Sequence, residues 1–216
     1  LYGTPLWKKL SAGQHAELRY HSQVHNLSQF LHGEQGALVC AARIVQDVPM
    51  LESKFYAATQ VIDEARHVEA YRRLLKEKFR FVYPIAPPLR RLLEQALTDR
   101  RWDFTYLGMQ VLIEGLALAA FQRIRDYAKN PLCQAVNAYV MQDEARHVAF
   151  GRLALREYYP QLTEAERRER EEFVIEGSHH LRDRLNSEEM WERIGLEPKE
   201  AMRQHDQSEG HTRFKK

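Results

Sequence analysis

Along most of this chain apolar residues recur at spacings of three and four, while Val, Ile and Thr never gather into alternating runs closed by turn residues. That period belongs to helices packed on one another, so the expected fold is all-α. The pattern predicts long helices over residues 22–47, 50–79, 102–129, 131–158 and 163–186, with a cap at Ser11 ahead of them and a short helix near 188–194. The breaks coincide with proline: Pro49, the longer connection YPIAPP at 83–88, Asn130-Pro131 and Tyr159-Pro160. The segment 198–216 is polar and is expected to be loosely held.

Composition narrows the classes. A chain of 216 residues makes one domain, 1–216, large enough to enclose a site. Its formal net charge is only +2, which argues against nucleic acid as a partner. The longest apolar run, Val111 to Phe121, is interrupted by Glu114 and reads as too short to span a bilayer, and no charged-then-apolar leader opens the chain. A soluble, cytoplasmic protein with no membrane partner is expected. Cys40 and Cys133 lack a CxxC mate and read as buried, inert thiols.

The hexamer DEARHV occurs twice, at Asp63–Val68 and Asp143–Val148. In each copy Glu and His stand three apart, at Glu64 and His67 and at Glu144 and His147, so each pair projects from one helix face. One ExxH is a weak signal; two copies are a stronger one. Pro49 lies fifteen residues before Glu64, and fifteen further back stands Glu34; Lys129 lies fifteen before Glu144, and fifteen further back stands Glu114. Each helical hairpin therefore brings one lone Glu level with one ExxH pair. Glu34 sits in an apolar stripe of Leu27, Phe30, Leu31, Ala37, Leu38 and Ala41, and Glu114 in one of Leu107, Val111, Ala117, Leu118 and Phe121. Carboxylates buried without partners are prohibitively costly, so four glutamates and two histidines converging in a core call for cations. A salt-bridge network would need arginine on the same face, and Arg66 and Arg146 lie about 200° around their helices from Glu64 and Glu144.

The order Glu, Glu-x-x-His, Glu, Glu-x-x-His on four helices resembles the ferritin-like di-iron carboxylate superfamily over residues 24–158, and DExRH is most similar to its oxygen-activating branch, which includes multicomponent monooxygenase hydroxylases and ribonucleotide reductase small subunits. The resemblance implies a four-helix bundle over about 22–158 with an extra helix at 163–186. It also implies two iron ions, or a Mn/Fe pair, on Glu34, Glu64, His67, Glu114, Glu144 and His147, with one Glu of each hairpin bridging. The implied activity is O2-dependent oxidation of a small organic substrate, with an external electron donor such as a ferredoxin or reductase and a homodimeric assembly. A ferroxidase, or a radical-generating protein using Tyr71, is the alternative.

The neighbours of these residues receive expectations too. Each Asp precedes its Glu by one position and points away from its own His, which suggests crossed contacts, Asp63 with His147 and Asp143 with His67. Arg66 and Arg146 either neutralise those aspartates or reach solvent. Gln60 and Gln110, one turn before a ligand, are candidates to hydrogen-bond ligand carboxylates; Asn137, two turns before Glu144, is a weaker one. Phe30, Ala37, Ala41, Ala117 and Phe121 are expected to line the substrate pocket. Tyr71, four after His67, matches the radical tyrosine of the reductase small subunit, or else packs beside the site without redox duty. Several related monooxygenases carry a hydroxyl residue one turn beyond the third-helix Glu, where this chain has Ala117 and Leu118. Arylamine N-oxygenases add a third histidine four residues before the last Glu, where this chain has Val140. A further ExxH, Glu176 and His179, has no symmetric mate and reads as surface.

Overall fold

The computed structural model describes residues 1–183 and 188–208. Among them the regular structure is helical: α1 (Pro5–Lys9), α2 (Ala12–Asp47), α3 (Leu51–Arg73), α4 (Pro87–Thr98), α5 (Trp102–Tyr106), α6 (Glu114–Tyr127), α7 (Pro131–Tyr158), α8 (Glu164–Asp183), α9 (Glu188–Arg193) and α10 (Pro198–Asp206). Two π-helical segments, Leu74–Phe79 and Leu107–Ile113, continue α3 and join α5 to α6. The hairpins α2/α3 and α6/α7 form a four-helix bundle, and α4 and α8 lie against its Leu107–Ile113 segment.

The first long helix starts ten residues earlier than expected, because Ser11 closes a capping box: its hydroxyl accepts from Gln14 N–H while Gln14 accepts from Ser11 N–H. Asn130 opens α7 in the same spirit, taking Leu132 and Cys133 N–H on its side-chain oxygen, with Pro131 at the first helical position. The expected long connection holds only as far as Ala86. From Tyr83 to Ala86 the chain is strapped to α2: Ser28 Oγ accepts Tyr83 N–H at 3.0 Å, and the Gln29 carboxamide bridges Pro84 O and Ala86 N at 2.9 and 2.8 Å. Then Pro87 and Pro88 start α4, which buries Leu89, Leu92, Leu93 and Ala96 on one face.

Two further expectations need correction. Much of the carboxy-terminal segment is not loosely held: Glu197 caps α10, Ala201 is fully buried, and Leu6 N–H donates to Gln204 Oε1 at 2.7 Å. Residues 209–216 of that segment, and 184–187 at the end of the expected 163–186 helix, lie outside the described residues. The apolar stretch is also longer than read: the helix Trp102–Tyr127 has the length and composition to cross a membrane. Most of it is buried inside the bundle instead, where it carries Glu114. Across this helix α8 is held by a buried ion pair, Arg170 Nε to Asp103 Oδ2 at 2.9 Å.

Candidate metal centre

The bundle brings Glu34 of α2, Glu64 and His67 of α3, Glu114 of α6, and Glu144 and His147 of α7 into one buried cluster. Their ligand atoms form two overlapping groups, Glu34–Glu64–His67–Glu144 and Glu64–Glu114–Glu144–His147, within each of which the atoms lie inside 4.8 Å of one another. Glu64 and Glu144 belong to both. His67 Nδ1 stands 3.3 Å from Glu34, 3.4 Å from Glu64 and 3.0 Å from Glu144; His147 Nδ1 stands 3.2 Å from Glu64 and 3.5 Å from Glu144.

The electrostatics of this cluster are those of a site short of positive charge. Burial first, then repulsion from Glu144, raises Glu34 and Glu114 well above the usual carboxylate range. Burial alone would lower His147, yet Glu144 and Glu64 beside it hold it up at about 11. Glu64 Oε2, Glu114 Oε2, both Glu144 oxygens and His147 Nδ1 are buried without a hydrogen-bond partner. The His67 and His147 Nδ1 atoms thus aim between carboxylates, and of these five contacts four lack hydrogen-bond alignment, that of His67 with Glu34 being the exception. Leaving so many buried polar atoms unpaired costs about 1–3 kcal/mol each, whereas two cations held by oxygen and imidazole donors satisfy all of them. The donor set fits a pair of metal ions.

The surrounding contacts are specific. His67 Nε2 meets Asp143 Oδ2 at 3.1 Å, and His147 Nε2 meets Asp63 Oδ2 at 3.2 Å, so the crossed geometry is present on both sides. Arg66 pairs with Asp63 and lies 3.7 Å from Asp143; Arg146 pairs with Asp143 and lies 3.8 Å from Asp63. Both arginines contact the aspartates while more than half exposed. Gln60 Nε2 donates to Glu64 Oε1 and to Glu114 Oε1, both at 3.0 Å, and Gln110 Nε2 donates to Gln60 Oε1 at 3.3 Å. Gln110 therefore reaches the carboxylates only through Gln60. Tyr71, fully buried, donates to Asn137 Oδ1 at 3.0 Å, and Asn137 Nδ2 donates to Cys133 O at 2.7 Å. Val140 is packed in the apolar cluster that also holds Phe30, Tyr71 and Phe121. Glu176 stands apart, accepting from Gln95 at 3.0 Å, with His180 rather than His179 at 3.7 Å; His179 is exposed.

A cavity of about 40 Å³ opens on the centre, lined by Phe30, Ala37, Ala117 and Phe121 together with Glu34, Glu114 and Glu144. Ala41 is fully buried but is no part of the lining, since seven residues beyond Glu34 place it about two turns along α2. Gln29, Gly33, Leu89, Met109 and Ile113 complete the wall and were not foreseen. Leu89 comes from α4, whose Leu89, Leu92, Leu93 and Ala96 spacing after Pro87 was the signal available.

The Leu107–Ile113 segment reaches this position because small residues make room for it. A side chain at Gly108 would meet Ala96 Cβ at 2.8 Å, one at Gly151 would meet Gln110 Cβ at 2.6 Å, and one at Gly177 would meet Leu112 Cδ1 at 2.6 Å. π-helical turns of this kind are found at functional sites, and this one ends directly at Glu114.

A family model described as P-aminobenzoate N-oxygenase AurF matches residues 1–216. The chain belongs to the AurF family. No curated protein matches it. Among solved structures it is similar to a protein from Synechococcus described as having aldehyde deformylating oxidase activity, with a TM-score of 0.65 and 18% identity over 91% of this chain and 88% of that one. That likeness establishes the ferritin-like fold. Membership of the AurF family, with the buried carboxylate and histidine cluster, makes this chain a di-iron oxygenase or oxidase. Within that family its Val140 offers no ligand atom beside Glu144.

Proposed function

We propose that Glu34, Glu64, His67, Glu114, Glu144 and His147 hold two iron ions, and that the loaded centre uses O2 to oxidise a small organic substrate lodged in the adjoining cavity. Bound there, the iron pair supplies the electrons and the open coordination positions that reduction of O2 requires. Glu64 and Glu144, common to both donor groups, would be shared by the two ions; Glu34 and His67 would complete one set of donors, Glu114 and His147 the other. The aspartates hold the Nε2–H of each imidazole, which leaves Nδ1 free to ligate. Phe30, Ala37, Ala117 and Phe121 keep the substrate side dry. Reducing equivalents come from an external donor, a ferredoxin or a reductase, in the cytoplasm; a homodimer is the assembly the family resemblance favours.

The observation that carries this reading is the set of buried, unpartnered oxygen and nitrogen atoms converging in two overlapping donor groups. Anaerobic titration with ferrous iron should load two ions per chain, and the loaded, reduced protein should consume O2. Growth of a mineral core on exposure to excess ferrous iron in air would favour the ferroxidase instead. A Mn/Fe pair is distinguished by metal analysis of the protein as purified. For Tyr71, an O–H given to a neutral carboxamide has no base to receive its proton, which favours packing over redox duty.

A further inference from the structure

We infer that Gly33 of α2 and Ala117 of α6 form the two sides of the opening through which O2 and the organic substrate pass from solvent to the metal centre, and that the size of the residue at 33 sets how fast they pass. The inference rests on the reading of the buried cluster as a loaded di-iron centre and goes beyond it.

Burial locates the opening. Of the twelve residues that line the cavity ten are buried, Glu34, Glu114 and Glu144 among them. Gly33 and Ala117 are the two that are half-buried, so the cavity meets solvent between them. Each stands beside a proposed ligand: Gly33 directly precedes Glu34, and Ala117 follows Glu114 by one helical turn. The carboxylate at the inner end carries an unpartnered oxygen, Glu114 Oε2, and both oxygens of Glu144 are unpartnered as well. The opening therefore leads to the atoms that hold the ions.

Neither packing nor backbone geometry calls for glycine at 33. A side chain there would meet nothing within 4 Å, whereas one at Gly36, on the same helix, would run into the Leu93 side chain. Gly33 lies inside α2 and has no positive φ. In a helix interior glycine is less favourable than alanine. What the absent side chain provides is the space itself, facing a residue that carries only a methyl group.

The test follows azide binding to the oxidised, iron-loaded protein by stopped-flow absorbance, with the iron content of every preparation measured first. Azide is charged and cannot cross the apolar walls by itself, so it reports on the opening. Gly33→Phe is expected to keep two ions per chain and to slow association and dissociation alike by about tenfold or more, because an obstacle at the mouth raises the barrier in both directions. Kd should stay unchanged. Should that variant fail to fold, Gly33→Leu combined with Ala117→Leu is expected to slow azide by more than the product of the single effects, as residues facing each other across a gap are coupled. Ala119→Leu, on the exposed side of α6, is expected to leave both rates as they are. Gly33→Ala should raise the urea midpoint. Unchanged rates in a folded, fully loaded Gly33→Phe, or in the double variant, overturn the inference. So do equal slowing by Ala119→Leu, a changed Kd with only one rate altered, a lower urea midpoint for Gly33→Ala, and a fully loaded wild type that azide does not enter. A wild type that binds fewer than two ions fails the di-iron reading itself, and that result is known before azide is added.

Discussion

The two hairpins supply the same three ligands each, yet their surroundings differ at three matched positions one turn from those ligands. One turn before the lone glutamate stand Phe30 in the first hairpin and Gln110 in the second; one turn before the ExxH glutamate stand Gln60 and Val140; one turn after the histidine stand Tyr71 and Gly151. Because the hairpins pack head to tail around the centre, these differences sort by end. Gln60, Gln110 and Gly151 gather beside Glu114, while Phe30, Tyr71, Val140 and Phe121 gather beside Glu34 and His67. The near-symmetry of the ligands follows from what two metal ions demand. The asymmetry around them has a different origin: one end holds carboxylates rigidly by amide donors, and the other presents apolar surface to the cavity.

The shared glutamates offer the largest effect. Glu64→Ala or Glu144→Ala removes an oxygen donor from both groups and should abolish binding at both positions, with turnover falling by more than the about 100-fold reach of an outer contact. Glu34→Ala or Glu114→Ala should leave one ion bound. Elemental analysis of the four purified variants checks this, and equal losses in all four would show that the overlap of the groups means nothing.

Next in size is the aspartate pair. Asp63→Asn and Asp143→Asn each remove the charge that orients a histidine of the opposite helix, and should weaken metal affinity or activity by about 10-fold to 100-fold. The local twofold predicts nearly equal effects. Competition with a chelator measures both, and a large inequality would break the symmetry of the ligand layer itself.

Gln60→Leu sharpens the contrast between the two ends. The carboxamide donates to Glu64 and Glu114 at once, so its loss leaves two buried carboxylate oxygens without a donor, at a cost of about 1–3 kcal/mol. Stepwise titration of ferrous iron should show the weakening at one of the two ions, the one held by Glu114 and His147. Equal weakening of both would mean that Gln60 acts on Glu64, common to both groups, alone.

These tests address features of unequal legibility in the sequence. The six clustered residues were readable because the hexamer repeats and because equal counts to each turn fix their depth on rigid helices. The crossed aspartates followed from a one-position offset, which on a helix is a rotation of about 100°. The π-helical segment was not readable: LGMQVLI is apolar throughout, so it carries no period to reveal a changed turn. Gly108, Gly151 and Gly177 lie in three different helices, and only the fold shows that all three give way to α4 or to that segment. The cavity was half readable, since α2 and α6 could be inspected as stripes while Leu89 arrives from a helix that was not among those expected. Ala41 was misplaced for a related reason: a stripe gives the face but not the distance along it.

The smallest expected effect is that of Tyr71→Phe, and it asks whether the aromatic end has any chemistry of its own. The ring is fully buried against Phe30 and Phe121, at 5.8 and 6.4 Å between centroids, and Phe preserves those contacts. What disappears is one hydrogen bond to Asn137, whose amide remains anchored to Cys133 O at 2.7 Å. Burial, then the charges of Glu34 and Glu144, hold the Tyr71 phenol well above its ordinary range, so it stays protonated and donates. Loss of that bond should lower stability by about 1 kcal/mol, read as a small fall in the urea midpoint, while iron stoichiometry and turnover stay unchanged. A tyrosine that served as a radical would behave otherwise: the variant would lose turnover at full iron loading, and the oxidised wild type would show a tyrosyl signal in electron paramagnetic resonance. Either result would turn the aromatic end from a wall of the cavity into part of its chemistry.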